Sequence, residues 1–314
     1  MIVALAGGVG GAKLADGLYR ALPAHQLTVI VNTADDLDLF GLRICPDLDT
    51  VMYTLAGIAN PLTGWGIRDD SFAALEMLGR YGRPTWFRLG DRDLATHVAR
   101  TERLRAGAPL SAVTAELAAA LGIQATLLPM SDAPVATRVQ TPAGTLDFQD
   151  YFVRRHQAET VTGVVFDGIE RARPPAAALR ALAEAEAVIL CPSNPIVSIG
   201  PILAVPGVRD AVARHPGPRV AVSPIVAGRA LRGPADRMLE SLGHEVSAYG
   251  VAALYRGLID GMVIDEADAA LAPRIEGLGM RVLVAPTVMG NPDDRVALAA
   301  RVLAFCQQIR RGVG

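Results

Sequence analysis

The stretch that decides the fold is MIVALAGGVGGAKLADGL, residues 1–18. Its apolar run Met1–Ala6 predicts a buried strand, and leucines at helical spacing predict a helix over Ala12–Leu22. A second apolar run, Leu27–Val31, completes a β-α-β unit. Glycines crowd the junction between the first strand and the helix, where backbone N–H groups can approach an anion closely. The opening therefore predicts an α/β unit with a ligand-binding turn.

The spacing of these glycines fits neither of the standard nucleotide-binding motifs. The dinucleotide fingerprint requires glycine where Lys13 stands, and the P-loop requires Gly-Lys followed by Ser or Thr where this chain has Ala12–Leu14. We interpret the turn as a separate variant that faces a phosphate. The alternative is a turn that serves only the close packing of strand and helix. The candidate phosphate-binding residues are Gly7, Gly8, Gly10, Gly11 and Lys13.

Helical and extended patterns alternate along the rest of the chain. The runs expected to form strands are Thr85–Leu89, Ala125–Pro129, Ala187–Cys191, Arg219–Ser223 and Val282–Ala285. The segments with helical periodicity are Val51–Ile58, Ser71–Leu78, Leu110–Leu121, Ala176–Glu186 and Arg295–Ile309. This alternation predicts an α/β fold, with a Rossmann-like, mainly parallel sheet flanked by helices and with inserted helical and strand elements. We expect residues 1–314 to form a single domain that binds ligands beyond the carboxyl ends of its strands.

The composition narrows the class of protein. The chain has 314 residues, of which 51% are hydrophobic, and a formal net charge of −2. Its 30 basic residues are scattered, so we expect no nucleic-acid partner. The apolar runs are shorter than the roughly 18 residues of a membrane span, and no basic leader precedes the first run, so we expect a cytoplasmic protein without a membrane partner. The 3 cysteines are far apart and indicate neither a disulfide framework nor a zinc site.

Acidic residues follow the second expected strand and precede the next helix. Asp35 and Asp36 come at the sheet edge where the glycine turn is expected. Asp47 and Asp49 stand just ahead of the helical pattern that begins at Val51. One carboxylate is enough to cap a helix, which leaves the second free to bind Mg²⁺ or a hydroxyl group.

A further polar cluster, Gly90–Asp93, mixes two acids with a guanidinium. This combination suits a metal ion and a phosphate together. The alternative is a turn stabilised by local ion pairs. His97 lies four residues after Asp93 on an expected helix, and we interpret it as a structural histidine.

Seven sequence blocks occur in order with regular separations. They are AGGVGGAKLADGL (6–18), VNTADDLDLFGLRICPDLDTVMYTLAG (31–57), FRLGDRDLATH (87–97), PMSDAPVATRV (129–139), FQDYFVRR (148–155), PSNPIVSIGPIL (192–203) and AVSPIVAG with GPADRML (221–228 and 233–239). Together they resemble the 2-phospho-L-lactate transferases of coenzyme F420 biosynthesis, named CofD in archaea and FbiA in actinobacteria. The resemblance covers nearly the whole chain and is far more specific than a glycine turn alone.

The resemblance implies a transferase reaction. Enzymes of this family take the deazaflavin alcohol Fo and a guanosine-diphosphate-activated three-carbon acid. The ribityl hydroxyl of Fo attacks the distal phosphorus and GMP leaves. The resemblance therefore implies Mg²⁺, cationic groups and backbone donors around the phosphates, and a homodimer. It leaves three acids open, namely 2-phospholactate, phosphoenolpyruvate and 3-phosphoglycerate, because the small groups that distinguish them are recognised by pocket shape.

The resemblance also implies roles for individual residues. Asp47, Asp49 and Arg92 are the expected catalytic residues. Of these, Asp49 with Asp47 beside it is expected to bind the Fo hydroxyl and Mg²⁺, and either carboxylate is a candidate to take the proton. Arg88 or Arg92 is expected to contact Fo or the transferred phosphate. The amide of Asn194 can pair with guanine, or it can simply close a turn between two prolines. The other expected substrate-binding residues are Asp35, Asp36, Asp91, Ser193 and Ser198.

Two other classes of protein remain as alternatives. A non-enzymatic, sugar-nucleotide-binding regulator of the gluconeogenesis-factor type shares a glycine turn followed by an acidic strand end. In such a regulator we would expect Ser-Asp-Asp-Gly-Gly where this chain has Thr33–Leu37. A nicotinamide dehydrogenase is disfavoured because the third glycine of its fingerprint and a lone acid after the second strand are missing. The blocks around Asp47 and Asp91 favour the transferase.

Overall fold

A computed structural model of the chain describes residues 1–23 and 25–312. The strands are β1 (Ile2–Ala6), β2 (Leu27–Val31), β3 (Leu37–Leu39), β4 (Leu42–Ile44), β5 (Thr126–Pro129), β6 (Ala136–Thr141), β7 (Gly144–Asp147), β8 (Gly163–Asp167), β9 (Ala187–Leu190), β10 (Arg219–Val222), β11 (Ile225–Val226), β12 (Arg229–Ala230), β13 (Gly261–Ile264) and β14 (Arg281–Val284). The helices are α1 (Gly8–Ala21), α2 (Pro46–Leu55), α3 (Ala73–Arg80), α4 (Asp91–Arg105), α5 (Leu110–Ala120), α6 (Ala176–Glu184), α7 (Ile199–Ala204), α8 (Val208–Ala213), α9 (Ala235–Ser241), α10 (Ala248–Leu254), α11 (Ala272–Glu276) and α12 (Pro292–Arg311). A π-helix covers Asp150–Arg154 and a 3₁₀-helix covers Glu266–Leu271.

Within the described residues, seven parallel strands form the central sheet in the order β14-β13-β10-β9-β1-β2-β5. The chain first builds from β1 to β2 and β5. It then returns to the other side of β1 with β9 and continues outward to β14. The direction of building reverses between β1 and β9. In open α/β sheets such a switch point opens a crevice at the carboxyl ends of the strands, where ligands bind.

Helices cover both faces of the central sheet. Ala4 and Ala6 of β1 belong to the layer in which α1 packs against α2 and α12. Val3 and Leu5 belong to the opposite layer, which contains buried residues of α6 to α11. Every residue of β1 and β2 is buried. The strands are therefore apolar on both faces, as expected of a parallel sheet between two helical layers.

Smaller elements are inserted between the parallel strands and contribute to the crevice. β3 and β4 form a hairpin before α2, and β7, β6 and β8 form an antiparallel sheet. β11 and β12 form a short hairpin after β10. After the π-helix the chain passes through His156 and Gln157, whose φ angles are 53° and 59°. Such values are uncommon outside glycine, and both residues lie beside the crevice.

The α/β fold expected from the sequence is confirmed, with differences at the ends of elements. α1 begins at Gly8, four residues before the expected start, so the glycines themselves form the first turn of the helix. The expected strand Thr85–Leu89 is wrong: the described residues 85–89 form no strand, because Trp86 and Phe87 face the crevice instead of the sheet. The sequence pattern also misses β13, since only three apolar residues follow Gly261.

Candidate active site

The glycine turn joins β1 to α1 and lies against the loop that follows β9. Gly8 has a φ of 60°, a left-handed conformation that glycine adopts without strain. The N–H of Gly7 donates to Ser193 Oγ at 3.0 Å, and the Ser193 hydroxyl donates to the Gly7 carbonyl at 2.8 Å. Ser193 therefore fixes the glycine turn to the end of β9 at the switch point.

Gly10 and Gly11 allow close packing. A Cβ on Gly10 would lie 2.3 Å from the carbonyl oxygen of Pro192, and a Cβ on Gly11 would lie 2.4 Å from Ser193 Oγ. Both distances are too short for a carbon atom, so α1 could not approach the β9 loop with larger residues there. The packing interpretation of the turn thus fits these two positions.

Asp47 is the carboxylate that the fold brings to the glycine turn. A Cβ on Gly7 would lie 2.5 Å from Asp47 Oδ2, so glycine is what lets this carboxylate approach. Asn32 Nδ2 donates to the same oxygen at 2.9 Å. The backbone N–H of Gly8 also donates to Asp47. The starts of α1 and α2 therefore face each other across one carboxylate.

Three buried carboxylates near the end of β2 and the start of α2 resist ionisation. Burial raises the pKa of Asp47 to about 6, although Asn32 and Gly8 donate hydrogen bonds to it. Burial and the charge of Asp47 raise the pKa of Asp35 well above its usual value. Burial also raises the pKa of Asp36 to about 7, against the opposing effect of Arg43. A cation next to Asp35 and Asp47 would relieve their mutual repulsion.

Asp49 faces a different side of α2 from Asp47, because two residues along a helix correspond to about 200° of rotation. Its carboxylate forms a bidentate ion pair with Arg100 of α4. Nη1 donates to Oδ2 at 3.0 Å and Nη2 donates to Oδ1. Arg100 is only 1% exposed. Burial disfavours the charge of Arg100, but Asp49 holds the pKa of the guanidinium above its usual value.

Asp93 and His97 complete a buried cluster around Asp49. His97 Nε2 lies 3.3 Å from Asp93 Oδ1, and His97 Nδ1 lies 3.7 Å from Asp49 Oδ2. The Tyr53 hydroxyl donates to Asp93 Oδ1 at 2.7 Å. Ligand atoms of Asp49, Asp93 and His97 lie within 4.8 Å of one another, so this cluster is compatible with a metal ion.

The stretch 90–93 begins α4, and much of it serves the helix ends. The carboxylate of Asp91 accepts hydrogen bonds from two backbone N–H groups at the start of α3, at 3.0 and 2.9 Å. Asp70, which precedes α3, accepts from the N–H groups of Arg92 and Asp93 at 2.9 and 3.0 Å. Asp91 of α4 therefore caps the start of α3, and Asp70, which precedes α3, caps the start of α4. The Arg92 side chain donates to the carbonyl of Arg68 at 3.4 Å.

A cavity of about 940 Å³ opens at the switch point. This volume is in the range of small-molecule sites. The sequence-predicted residues that line it are Gly7, Gly8, Gly10, Lys13, Asp35, Asp47, Asp49, Arg88, Ser193, Asn194 and Ser198. The predicted residues that the structure places elsewhere are Gly11, Asp36, Asp91 and Arg92. Asp36 borders a neighbouring cavity of about 310 Å³, where it lies 3.3 Å from Arg43.

Two of the lining residues differ in what they can offer a ligand. Asn194 Oδ1 accepts hydrogen bonds from the N–H groups of Ile196 and Val197 at 2.9 and 3.3 Å. This geometry fits the turn-closing interpretation of the asparagine. The guanidinium of Arg88 lies over the ring of Phe72, 4.4 Å from its centre, and the side chain borders the cavity. Of the two arginines in this stretch, Arg88 is the one that reaches the cavity.

Aromatic side chains outside the predicted site also line the cavity. Phe148 and Phe152 stack with their ring centres 5.5 Å apart and 13° between their planes. Trp86 and Phe87 form an edge-to-face pair, with their ring centres 5.7 Å apart. Trp65 also lines the cavity. Stacked and edge-on rings of this kind suit a planar aromatic ligand.

Arg100 is a site residue that motif reasoning misses. It carries no motif of its own in the middle of α4. The available signal is its spacing, because it lies three residues after His97 and seven after Asp93, which places all three on one face of the helix. Asn32, which holds Asp47, is missed for a similar reason, since it belongs to the turn after β2 and stands outside the acidic pair.

Comparisons with known proteins identify the family of this chain. The family model described as 2-phospho-L-lactate transferase CofD matches residues 2–277. The chain is 45% identical to a phosphoenolpyruvate transferase of Streptomyces griseus subsp. griseus, over 98% of this chain and 99% of the relative. It is 40% identical to a 2-phospho-L-lactate transferase of Methanosarcina barkeri, again over 98% of this chain and 99% of the relative.

A solved structure shares the fold at low identity. The crystal structure of a UPF0052 family member from Bacillus halodurans covers 96% of this chain and 98% of its own, with 14% identity and a TM-score of 0.63. At this identity the likeness shows the fold alone. Within the described residues, no helix is both long and apolar enough to cross a membrane. The match to the family model and the similarity to the two transferases show that the chain belongs to the 2-phospho-L-lactate transferase CofD family, and that it is a transferase of coenzyme F420 biosynthesis.

Proposed function

We propose that the cavity binds Fo together with a guanosine-diphosphate-activated three-carbon acid. The terminal ribityl oxygen of Fo forms a bond to the phosphorus that carries the acid, the bond from that phosphorus to the bridging oxygen breaks, and GMP leaves. The observation that carries this proposal is the meeting of the Gly7–Gly8 turn with Asp47 at the switch point of the sheet. In this proposal the N-terminal end of α1, with its partial positive charge, and a carboxylate face one reacting phosphate.

Asp47 is the residue we assign to the proton of the attacking hydroxyl. In the absence of a metal ion the pKa of Asp47 is about 6, so its carboxylate is ionised at neutral pH and is a better proton acceptor than an exposed aspartate. Asn32 orients the carboxylate through the hydrogen bond to Oδ2. Asp49, in this proposal, holds Arg100 in place and shapes the floor of the site.

Asp35 and Asp47 fit Mg²⁺ better than Asp49 does. Mg²⁺ prefers oxygen ligands, and the Asp49 carboxylate is already paired with a guanidinium. The cluster of Asp49, Asp93 and His97 includes an imidazole, which suits other metals more than Mg²⁺. When bound, the ion would neutralise phosphate charge. We therefore move the proposed metal ligands from the pair Asp47 and Asp49 to the pair Asp47 and Asp35.

The aromatic side chains of the cavity support a place for the deazaflavin ring, and the relatives support a choice of acid. Phe148, Phe152, Trp86 and Phe87 offer faces and edges to a planar ring system. The phosphoenolpyruvate transferase of Streptomyces griseus subsp. griseus is 45% identical to this chain, whereas the 2-phospho-L-lactate transferase of Methanosarcina barkeri is 40% identical. We favour phosphoenolpyruvate as the acid carried by the donor. The curated relatives are named as transferases, so the regulator alternative draws no support from them.

The test is a reconstituted reaction with purified protein, Fo, Mg²⁺ and each of the three activated acids. We expect GMP and a deazaflavin phosphodiester to form in equal amounts, fastest with the phosphoenolpyruvate donor. A nucleotide that binds without releasing GMP would contradict the proposal and would favour a regulator. The homodimer and the cytoplasmic location remain predictions, which light scattering and cell fractionation would check.

A further inference from the structure

Two cationic side chains lie on the glycine-turn side of the cavity. Lys13 Nζ donates to the carbonyl oxygen of Met289 at 2.7 Å. Arg232, in the turn after β12, donates from Nη2 to the carbonyl oxygen of Leu62 at 3.0 Å and from Nη1 to that of Thr63. Within residues 1–23 and 25–312, both cations therefore bind neutral carbonyls, and neither forms a salt bridge.

The surroundings of Gly64 place Arg232 beside the first turn of α1. A Cβ on Gly64 would lie 2.6 Å from Val9 Cγ1 and 3.3 Å from Arg232 Nη1. Arg232 is therefore close to Val9, and Lys13 follows Val9 by one helical turn on the same face. Burial, Arg295 and Arg232 lower the pKa of Lys13, as expected where positive charges gather.

Nearby ionic groups leave this pair of cations available. Arg295 is committed to Asp16 at 2.9 Å. The negative charge of Asp294 raises the pKa of Lys13. Its carboxylate, however, accepts hydrogen bonds from the backbone N–H groups of Gly290 and Asn291 at 2.9 and 3.1 Å. Of the five N–H donors of a guanidinium and the three of an ammonium, most remain after the carbonyl contacts. Donors of this kind next to a glycine turn suit an anion with several charges.

We propose that Lys13 and Arg232 form an anion clamp for the diphosphate of the activated donor, with Arg232 as a positioning residue that the sequence motifs do not reveal. This inference rests on the proposed function. Lys13 approaches from α1 and Arg232 from the turn after β12, so the diphosphate would be held between two walls of the cavity. The two carbonyl contacts fix the plane of the guanidinium before the ligand arrives, which reduces the entropy lost on binding.

The test is equilibrium binding of GDP and of inorganic pyrophosphate, with Mg²⁺ present, by titration calorimetry. We expect the dissociation constant for GDP to rise about 10- to 100-fold in Arg232→Gln and in Lys13→Met, and to recover in part in Arg232→Lys. The matched control is Arg229→Gln, which removes an exposed arginine from β12, three residues before Arg232, and should bind as the wild type does. In steady-state assays Arg232→Gln should raise the KM for the donor and leave the KM for Fo unchanged.

Wild-type affinity for GDP and pyrophosphate in Arg232→Gln would overturn the clamp. So would an equal loss of Fo and GDP binding accompanied by a lower Tm, because a purely structural contact between loops predicts that result. If Arg232→Gln does not fold, Lys13→Met decides by the same criteria. Failure of the proposed function is separately visible, since a wild-type protein that binds GDP through these residues but forms no phosphodiester refutes the transfer reaction and leaves the clamp intact.

Discussion

Two aspartates separated by one residue have opposite environments in this protein. Asp47 faces the glycine turn and is held by neutral donors, so burial makes its negative charge costly. Asp49 faces α4 and is compensated by the guanidinium of Arg100. The sequence shows that the two carboxylates precede a helix, but helical rotation decides which of them reaches the reacting groups. The difference assigns chemistry to Asp47 and architecture to Asp49.

Replacing Asp47 by Asn should separate activity from stability. We expect turnover to fall at least about 100-fold, because the acceptor of the proton is lost. The pKa of Asp47 is raised from 3.8 to about 6, so the folded protein binds this proton more tightly than the unfolded chain. The contribution of Asp47 to stability is therefore lost as pH rises from about 4 to 6. Without metal at pH 8, the free energy of unfolding of Asp47→Asn should be about 1 to 3 kcal/mol higher than that of the wild type.

Denaturant unfolding in EDTA at several pH values checks this sign. The difference between Asp47→Asn and the wild type should be largest at pH 8 and should shrink toward pH 4. The matched control is Asp38→Asn, because the Asp38 side chain is 73% exposed and should show no such trend. A variant less stable than the wild type at pH 8 would contradict the assigned environment of Asp47.

Arg100 should be the arginine of α4 on which folding depends most. Replacing it by Met leaves the buried Asp49 carboxylate without its partner, and we expect a loss of about 3 to 5 kcal/mol in the free energy of unfolding. Arg103→Met is the control in the same helix, since its pair with Glu116 is half-exposed and should contribute little. Chemical denaturation of both variants at pH 7 makes the comparison. Equal effects would show that the Asp49–Arg100 pair is solvated in solution.

At the scale of elements, the glycine turn shows how one motif combines two uses. Gly10 and Gly11 lie in the first turns of α1 and let the helix touch the loop after β9. Gly7 admits Asp47, and Gly8 supplies the positive φ. The phosphate-binding and packing interpretations of the sequence are therefore compatible, because they apply to different glycines. Sequence alone could not divide them, since the division depends on the loop that contains Ser193, which lies 186 residues from Gly7 along the chain.

Asp91, in the stretch 90–93, should matter for stability more than for substrate binding. Asp91→Ala removes the acceptor for two N–H groups of α3, so we expect Tm to fall by a few degrees. The KM values for Fo and the donor should stay within about twofold of the wild type, because Asp91 lies outside the cavity lining. Thermal unfolding and steady-state kinetics on one preparation provide both readouts. A large rise in either KM with an unchanged Tm would restore the substrate-binding role expected from the sequence.

For the whole molecule, the sequence predicts the scaffold better than the site. Buried parallel strands are readable because runs such as Leu27–Val31 are apolar on both faces. The error at Thr85–Leu89 arises because Trp86 and Phe87 line a cavity. A local run of apolar residues looks the same in sequence whether it lines a cavity or forms a buried strand. Arg100 and Arg232 act through contacts with distant segments, which no local motif encodes.

Metal binding should stabilise the whole chain. Saturating Mg²⁺ relieves the repulsion between Asp35 and Asp47, so we expect the free energy of unfolding at pH 8 to rise by about 1 to 3 kcal/mol, in a single transition if the chain is one domain. The rise should be absent from Asp47→Asn and preserved in His97→Gln. Differential scanning calorimetry with and without Mg²⁺ measures it. The reverse pattern would place the ion in the cluster of Asp49, Asp93 and His97.

We propose above that the glycine turn and Asp47 serve one reacting phosphate. The most direct measurement is a crystal structure of the protein with Fo, GDP and Mg²⁺. We expect the diphosphate against the glycine turn, the terminal hydroxyl of Fo within hydrogen-bond distance of Asp47, and Asp47 and Asp35 as the residues that hold the ion. A nucleotide bound away from this turn, with Asp47 contacting neither ligand, would contradict it.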